Sequence, residues 1–549
     1  MKMIIKSARD FRIGWRQLVQ EPGYSAVTVL GLAVACAACF LLLGFVAYCL
    51  NYNSHVPEGA RVHVVKQRIN FFPRPDWNTR ATLSLRDAAM ASGMVEQTAT
   101  ATQGQQPLRV GTELHEARLY AVDPDFAAIF GITPLAGDVQ AALNRPDGLA
   151  LTRETALRLF GKPEVLGKTV SVGDEVLQVL AVIPDLPATT TQRWDVLTGP
   201  LSRARPVEDR TLHPSDKKRG QIFLKLRPGA DVPRLAALLQ EAVEASPMNR
   251  DFRAGPLGRA TAGPGVEVRL VAMPDAYFDP DLASGRDKNS YGQRDSTLAL
   301  AGVALLILAL AMTNWINLAT VRTLKRQREI GMRKVLGASA PRVAGQFLAE
   351  SVLVALLATG AGILLAWLLL PIFADLVNRK LEGFFTPGRL AMALLLGVSA
   401  GLAAGLYPAW TALSVRASTV LAGRDSSSET TSNLWLRRAL TVLQFATAMA
   451  LGGITVAVGW QTWYATTADP GFDPARLMLL HMPLAKNEQV QGFVRAVKRV
   501  PGIEGSAVSA EAIGRDANKI TGAYDLRKGG EMRVEIKRLH SQLENTTMI

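Results

Sequence analysis

The segment from Gly161 to Thr169 is the part of this 549-residue chain that comes nearest to a phosphate-binding loop. It reads Gly-Lys-Pro-Glu-Val-Leu-Gly-Lys-Thr, so five residues separate its two glycines. A Walker A loop has four residues there, because its backbone N–H groups must converge on the phosphates. The spacing therefore argues against nucleotide binding. It favours a turn into a β-hairpin formed by residues 169–172 and 175–182.

Other residue types that carry chemistry are scattered along the chain. The six histidines show no metal-ligand spacing, and no Ser/His/Asp constellation stands out. The three cysteines, Cys36, Cys39 and Cys49, all fall in one apolar run, so no disulfide framework is expected. We therefore predict no catalytic residue, no metal, no cofactor and no enzymatic activity of the chain itself.

A short basic segment between two long apolar runs is the strongest candidate for a contact surface. It extends from Arg326 to Ala338. A cationic loop beside a membrane span is expected on the cytoplasmic side. We therefore predict that this segment docks on a partner inside the cell. Its cationic residues are Arg326, Arg328, Arg333 and Lys334, and its apolar residues are Ile330, Met332, Val335 and Leu336.

Five segments without Asp, Glu, Lys or Arg exceed the roughly 20 residues that a helix needs to cross a bilayer. The first is far longer than the apolar region of a secretory signal, about 7–15 residues, and is interpreted as an uncleaved anchor. The net charge of +14 lies largely beside these segments, which favours membrane orientation over nucleic-acid binding. The segments are Pro22–Ser54, Ser296–Val321, Ser351–Ala374, Leu390–Val415 and Ala439–Ala468.

Basic residues orient these spans, because cytoplasmic loops carry an excess of Lys and Arg. The basic amino-terminal tail is placed in the cytoplasm, and residues 51–295 then lie outside the membrane. The next basic cluster, Arg326–Lys334, returns inside, as does the linker that contains Arg437 and Arg438. The fold class predicted is a polytopic α-helical membrane protein with an α+β extracytoplasmic domain.

Local patterns within the external segment alternate between strand and helix. Residues 115–122 are predicted as a strand, and Asp123 is expected to cap a helix with Pro124 in its first turn. Residues 153–160 are predicted as a helix that ends at Gly161.

Two features of the spans indicate helix packing. Gly397, Gly401 and Gly405 form a tandem GxxxG, which lets a neighbouring helix approach closely. We favour packing within one chain, with a dimer face as the alternative. Glu350 lies near the cytoplasmic edge of the third span, where an anchoring pair with an arginine is favoured over a proton relay.

The order of basic residues, long span and external strand-helix material occurs twice, at residues 9–98 and 437–510. The second copy stops early, so we expect a truncated second repeat.

The predicted domains are a basic tail (1–21), a first span (22–54), an external domain (55–295), a three-span region (296–424) with an inner loop (322–345), a linker (425–438), a fifth span (439–468) and the start of a second external domain (469–549).

Several of these residues resemble those of the MacB/FtsX-type ABC transporter permeases. The inner segment Arg-Glu-Ile-Gly-Met-Arg-Lys-Val-Leu-Gly-Ala, ending at Ala338, resembles the FtsX-like permease domain, as does Tyr407-Pro408-Ala409. Fragments of the external segment, among them Val122–Phe126 and Val182–Asp185, resemble the MacB-like periplasmic core domain. Gly471-Phe472-Asp473 is similar to the start of a second such domain.

The resemblance implies a non-catalytic permease subunit in a bacterial inner membrane, with its amino terminus in the cytoplasm. A separate cytoplasmic ABC ATPase would drive it, and the external domain would export or release an antimicrobial, a peptide or a lipoprotein-like substrate. A second permease half or a homodimer and a periplasmic adaptor are further partners that it implies. The ATPase-coupling residues it implies are Arg326, Arg328, Glu329, Ile330, Gly331, Arg333, Lys334 and Gly337.

Two alternatives remain open at this point. The chain could instead be a regulatory module that relays ATPase action to an extracytoplasmic partner such as a cell-wall hydrolase. It could also be a membrane-anchored sensor or scaffold that works without an ATPase.

Overall fold

The computed structural model divides the chain into two compact units, a helical one and an α+β one. The helical unit is Met1–Leu50 with Asp295–Ala475, and the α+β unit is Asn51–Arg294 with Arg476–Ile549. The residues described are 15–16, 19–70, 75–104, 107–210, 218–255, 263–284, 290–336, 338–414, 431–469, 477–478, 480, 487–506, 508–509, 520–525, 530–535 and 539–540.

The helices of the described residues are labelled in chain order. They are α1 (Pro22–Leu50), α2 (Leu85–Ala91), α3 (Phe126–Ile129), α4 (Val139–Asn144), α5 (Arg153–Phe160), α6 (Val232–Glu244), α7 (Pro247–Ala254), α8 (Pro280–Ala283), α9 (Arg294–Lys325), α10 (Gln327–Val335), α11 (Ala340–Val377), α12 (Pro387–Ser414), α13 (Thr431–Thr467) and α14 (Asn487–Val497).

The strands are labelled in the same way. They are β1 (Val62–Ile69), β2 (Trp77–Asn78), β3 (Ala81–Thr82), β4 (Val95–Gln103), β5 (Leu108–Val110), β6 (Glu113–His115), β7 (Leu119–Val122), β8 (Ala136–Gly137), β9 (Gly148–Thr152), β10 (Thr169–Val172), β11 (Glu175–Ile183), β12 (Val196–Thr198), β13 (Arg219–Leu226), β14 (Val266–Ala272), β15 (Val508–Ser509), β16 (Ile520–Asp525), β17 (Gly530–Glu535) and β18 (Leu539–His540).

Within the described part of the chain, five helices are long and apolar enough to cross a membrane. They are α1, α9, α11, α12 and α13, which confirms the prediction of five membrane-spanning helices. The first helix ends at Leu50 rather than at Ser54, and Asn53 adopts a left-handed backbone with φ of 58°. The fifth helix begins at Thr431, inside the segment predicted as a linker, whose residues 425–430 lie outside the described residues.

Side chains from α1, α9, α11 and α12 share one buried cluster in the helical unit. It contains Leu32, Trp315, Val354, Ala355, Ala358 and Ala404. The inner basic segment, predicted as a loop, forms the short helix α10 between α9 and α11. The helix fixes the positions of the cationic and apolar side chains of this segment relative to one another.

The α+β unit is built on a mixed sheet. Its described strands follow the order β14-β1-β13-β4-β7-β12-β9-β11-β10-β5-β6, with β2, β3 and β8 attached to β1, β13 and β11. The pairs β7–β12 and β9–β11 are parallel, and the other pairs in this order with a recorded register are antiparallel. This architecture confirms the α+β domain predicted from the sequence.

Two local predictions in this unit are confirmed. The hairpin of β10 and β11 pairs Val172 with Glu175 across Gly173 and Asp174. Helix α5 ends at Gly161, which has φ of 72°. A side chain with a Cβ is strained in this left-handed conformation, so glycine is the natural stop.

The predicted helix cap at Asp123 is wrong. Helix α3 begins only at Phe126, and the carboxylate of Asp123 accepts hydrogen bonds from the backbone N–H and the hydroxyl of Thr100, at 2.8 and 2.9 Å. Arg86 lies 3.4 Å from the same oxygen. Burial raises the pKa of Asp123, although Arg86 and the Thr100 bonds oppose this rise. Asp123 therefore ties β4 to the end of β7.

The single strand predicted at residues 115–122 is also wrong, because the structure has two strands there, β6 and β7.

A glutamine covers part of the outer edge of β14, the first strand in the sheet order. The Gln240 amide donates to the carbonyl of Val266 at 2.9 Å, and its oxygen accepts from the N–H of Val268 at 2.8 Å. An unpaired strand edge is a template for pairing with another chain, so this contact protects the edge.

Gln240→Ala is expected to expose this part of the edge. Since the two hydrogen bonds are lost and a typical bond contributes roughly 1 kcal/mol, amide exchange around Val268 should accelerate about tenfold. Hydrogen exchange of the full chain, read by mass spectrometry, measures this change. Glu241→Ala, at the exposed next position of α6, is the control and should leave exchange there unchanged.

Candidate functional site

Helix α10 is anchored to the helical unit along one side. Ile330, 2% exposed, packs with Val343 of α11 and Ala412 of α12. Nζ of Lys334 donates to the carbonyl oxygens of Ala412 and Leu413, at 3.1 and 2.8 Å. Those carbonyls lie in the last turn of α12, where intrahelical partners run out and a cation is favoured. Burial lowers the pKa of Lys334. These contacts attach α10 to α11 and α12.

Glu329 organises the charged side of α10. Its carboxylate accepts hydrogen bonds from Arg326 at 3.0 Å and from Arg333 at 2.5 Å. Arg333 also donates to the side chain of Gln346 on α11, at 2.9 Å. Burial opposes ionisation of Glu329, but the hydrogen bond from Arg326 and the nearby arginine charges outweigh it and lower the pKa of Glu329. The glutamate therefore holds two arginines in place as an anion.

Glu350 ties α11 to the end of α9. It lies ten residues after α11 begins at Ala340 and is 9% exposed. Its carboxylate is 2.9 Å from Arg322 and 3.5 Å from Arg326, and Arg322 is also 3.1 Å from Glu21. A buried carboxylate requires such partners, because an unpaired charge is costly there. The structure thus brings Glu350 together with arginines, as the anchoring interpretation requires.

Glu350→Gln is expected to lower thermal stability. The charge-assisted bond to Arg322 becomes a neutral one and Arg326 loses its nearby anion, at a cost of about 1.5–3 kcal/mol. The melting temperature of the purified chain in detergent measures the effect. Glu382→Gln, on the exposed loop between α11 and α12, is the matched control. Equal melting temperatures for both variants would contradict the anchoring role.

The opposite side of α10 presents apolar side chains to the surroundings. Met332 is 52% exposed, Val335 46% and Leu336 80%. Arg328 is exposed beside them, whereas Gly331 is buried and Gly337 lies outside the described residues. A contiguous apolar surface rimmed by charge is typical of a protein interaction site. Of the predicted coupling residues, Ile330 and Lys334 face inward and serve as anchors.

The three glycines of α12 face α11 of the same chain. An added Cβ at Gly401 would lie 2.8 Å from Cβ of Ala355 and 3.2 Å from the carbonyl oxygen of Ser351. One at Gly405 would lie 2.8 Å from Cβ of Ser351, and one at Gly397 would overlap the hydroxyl of Thr359. This geometry corresponds to intramolecular packing.

A fourth glycine at a close helix contact, Gly362, was not identified from the sequence. An added Cβ at Gly362 of α11 would lie 2.8 Å from Cβ of Cys36 and 2.9 Å from the carbonyl oxygen of Ala33, both in α1. The signal was present as the small residues Thr359-Gly-Ala-Gly362. A run of small residues does not reveal which neighbour it meets.

The segment that comes nearest to a phosphate loop is occupied by backbone pairing. The N–H of Gly167 donates to the carbonyl of Val179 at 2.8 Å, and Gly161 forms the end of α5.

Among the described residues, no group of three or more His, Cys, Asp or Glu side chains could hold a metal.

Two family models match the chain. The MacB-like periplasmic core domain matches residues 25–242, and the FtsX-like permease C-terminal domain matches residues 301–416. The second match includes α10, Glu350 and the three glycines of α12.

The curated relatives are named as ATP-binding/permease proteins. Macrolide export ATP-binding/permease protein MacB 2 of Aeromonas hydrophila subsp. hydrophila is 22% identical over 68% of this chain and 55% of its own length. The probable syringafactin export ATP-binding/permease protein SyfD of Pseudomonas syringae pv. syringae is 23% identical over 73% of this chain and 58% of its own length. The chain thus spans somewhat more than half of each of these relatives.

A solved structure, the periplasmic region of MacB from Actinobacillus actinomycetemcomitans, aligns with 41% of this chain and 92% of its own, at 13% identity and a TM-score of 0.28. The first family model covers most of α1 and the α+β unit as far as α6, and the second covers most of α9 and all of α10, α11 and α12. The chain belongs to the MacB/FtsX-type ABC transporter permeases.

Proposed function

We propose that this chain transmits the movement of an ATP-hydrolysing partner to its α+β domain, and so drives export or release of a substrate. The observation that carries the proposal is the two-sided construction of α10. One side is fixed by Ile330 and Lys334 to α11 and α12, and the other exposes Met332, Val335 and Leu336. A helix built in this way converts a push on its outer side into displacement of the spans.

The partner is a cytoplasmic ABC ATPase, which this family implies. The basic character of the inner segments supports a cytoplasmic α10 and amino terminus in a bacterial inner membrane. The α+β domain then lies on the opposite side of that membrane. The chain itself hydrolyses no ATP in this proposal, and nucleotide binding belongs to the separate ATPase chain.

The proposed substrate class is the one that this family implies, and the printed names of two relatives support it. MacB 2 is named for macrolide export and SyfD for syringafactin export. An antimicrobial, a peptide or a lipoprotein-like amphiphile is therefore the proposed cargo. The α+β domain would act on it from outside the membrane, because both ends of its segment Asn51–Arg294 continue directly into α1 and α9.

Leu336→Asp is expected to abolish ATPase binding. Leu336 directly follows α10 and is the most exposed apolar side chain of this surface, so the substitution places a charge where an apolar contact would have to desolvate it. The tagged full chain is purified from its native host, and a co-purifying ATP-binding-cassette protein is identified by mass spectrometry.

Met90→Asp is the control, because Met90 is also an exposed apolar residue, 44% exposed, but lies in the α+β unit. The proposal requires a co-purified ATPase with the wild type and the control, and its loss with Leu336→Asp. Capture of no ATPase by the wild type would instead support a sensor or scaffold. Retained binding without export of any compound from vesicles would favour a regulatory module.

A further inference from the structure

The chain segments that connect the α+β domain to α1 and α9 meet inside that domain. Tyr52 is two residues beyond the end of α1, and Gly292 is two residues before the start of α9. The ring of Tyr52 stacks on that of Tyr277, with centroids 3.6 Å apart and an interplanar angle of 12°. Gly292 then donates its N–H to the carbonyl of Tyr277 at 2.8 Å. A single tyrosine thus joins the two connections.

Gly292 has no room for a side chain at this contact. An added Cβ would lie 2.5 and 2.7 Å from two ring carbons of Tyr277 and 2.9 Å from its hydroxyl oxygen. Glycine is therefore what allows the connection to α9 to lie directly on the aromatic pair.

Asn53 attaches the segment that follows α1 to the interior of the domain. It is fully buried, and its Nδ2 donates to the carbonyl of Met273 at 2.9 Å. Its Oδ1 accepts from the N–H and the hydroxyl of Thr191, at 2.9 and 3.1 Å, and its own N–H donates to the carbonyl of Thr189 at 2.8 Å. One side chain therefore joins the connection to α1, the segment that follows β14 and the segment that precedes β12.

The conformation of Asn53 restricts which residues can take its place. Its φ of 58° is left-handed, a region that Asn tolerates better than most residues with a side chain. The carboxamide offers both the donor for Met273 and the acceptor for Thr191, which a carboxylate or an apolar side chain does not. We call Tyr52, Asn53, Thr191, Met273, Tyr277 and Gly292 the root clamp.

The far side of the root clamp is fixed to the sheet. Met273 donates its N–H to the carbonyl of Val62 in β1 at 2.8 Å. The buried Nζ of Lys66, also in β1, is 2.6 Å from both Asp279 and Asp281, which lie just beyond Tyr277. A displacement that enters at Tyr277 therefore acts on β1, the second strand in the sheet order.

We propose that Asn53 is the positioning residue through which displacement of α1 and α9 reaches residues 189–191 and the strand β12 that follows them. The inference deepens the proposed function, on which it rests, by naming where movement enters the domain. Tyr277 holds the two connections together, and Asn53 passes their displacement to a segment more than 130 residues away in the chain.

A double-mutant cycle on the full chain in lipid nanodiscs tests this proposal. Glu21→Lys places a cation beside Arg322, now 3.1 Å from Glu21, and so pushes the start of α1 away from the end of α9. Hydrogen exchange of peptides that contain Thr191 is then compared in the wild-type and Asn53→Gly backgrounds. Glycine keeps the left-handed backbone and removes only the side-chain bonds.

We expect Asn53→Gly alone to accelerate exchange at Thr191 about tenfold, since its N–H loses its acceptor. We expect Glu21→Lys to change exchange at Thr191 by at least about twofold in the wild-type background and to have no effect in Asn53→Gly. A merely structural Asn53 would give additive effects. Additive effects, or no response to Glu21→Lys with Asn53 present, would overturn the proposal.

Two further variants complete the experiment. Asn378→Gly is the matched control, because Asn378 also has a left-handed backbone, with φ of 49°, at the end of α11, and it should leave the response to Glu21→Lys intact. Asn53→Asp keeps the acceptor for Thr191 and loses the donor to Met273, so it tests the link if the glycine variant does not fold. The assay contains no nucleotide and no ATPase, so its failure is distinguishable from failure of the Leu336→Asp experiment.

Discussion

Gly401→Leu is expected to separate α12 from α11 and to prevent recovery of folded protein at the wild-type yield. A Cβ alone would already lie 2.8 Å from Ala355 and 3.2 Å from the backbone of Ser351 and Val352. Two of those contacts are with backbone atoms, which cannot move aside as a flexible side chain would. Overpacking typically costs 1–3 kcal/mol, and leucine adds three carbons beyond Cβ. Detergent-solubilised yield and the melting temperature measure the effect.

Gly360→Leu is the matched control for this substitution. Gly360 lies in α11, is exposed, and has no atom within 4 Å of an added Cβ. The same leucine should therefore be tolerated there, with a yield and melting temperature near those of the wild type. If Gly401→Leu behaved like Gly360→Leu, the three glycines of α12 would not hold the two helices together. A loss of dimers with monomer stability unchanged would instead support the alternative of a dimer face.

Gly331→Pro is expected to uncouple ATP turnover from export. Gly331 is the fifth residue of the nine-residue helix α10, so proline there removes a helical N–H and clashes with the preceding turn. This costs about 3 kcal/mol, which a helix of two and a half turns cannot offset by its own hydrogen bonds. The anchor at Ile330 and the exposed surface at Met332 flank the substitution, so the two sides of α10 would no longer move together. Simultaneous measurement of ATP hydrolysis and substrate export in proteoliposomes tests this expectation.

A charge reversal at Glu329 tests the ion pairs of α10 without disrupting the helix itself. Glu329→Arg keeps a good helix former but places a third cation beside Arg326 and Arg333, which now share the carboxylate. We expect export to fall at least about tenfold while the ATPase remains active. Glu382→Arg, on the loop between α11 and α12, is the control. Export at the wild-type rate in both α10 variants would refute the proposed role of this helix.

Local patterns in the sequence predicted those features that depend on neighbouring residues. The five spans follow from long uncharged runs, because a helix in lipid satisfies its own backbone hydrogen bonds wherever its partners lie. The β10–β11 hairpin follows from Gly173 and Asp174 between two apolar strands, and the end of α5 follows from Gly161. Each of these features is decided within a few residues.

The wrong prediction at Asp123 has the opposite origin. Asp followed by Pro is a good local signal for a helix start, but the Thr100 N–H and hydroxyl compete for the same carboxylate. Thr100 is 23 residues away in the chain and becomes a neighbour only when β4 pairs with β7. Tertiary pairing therefore overrode the local preference.

The sequence by itself determined that this is a membrane-spanning chain with a large α+β domain and one basic, partly apolar segment between spans. Hydropathy, charge and turn residues carry that information residue by residue. Only the tertiary structure decided which arginines pair with Glu350, namely Arg322 and Arg326, that Lys334 caps the end of α12, and that Asn53 joins three distant segments. The physical reason is that hydrogen bonds and ion pairs act over a few ångströms. Their partners are therefore selected by the packing of whole elements and leave no periodic trace in the sequence.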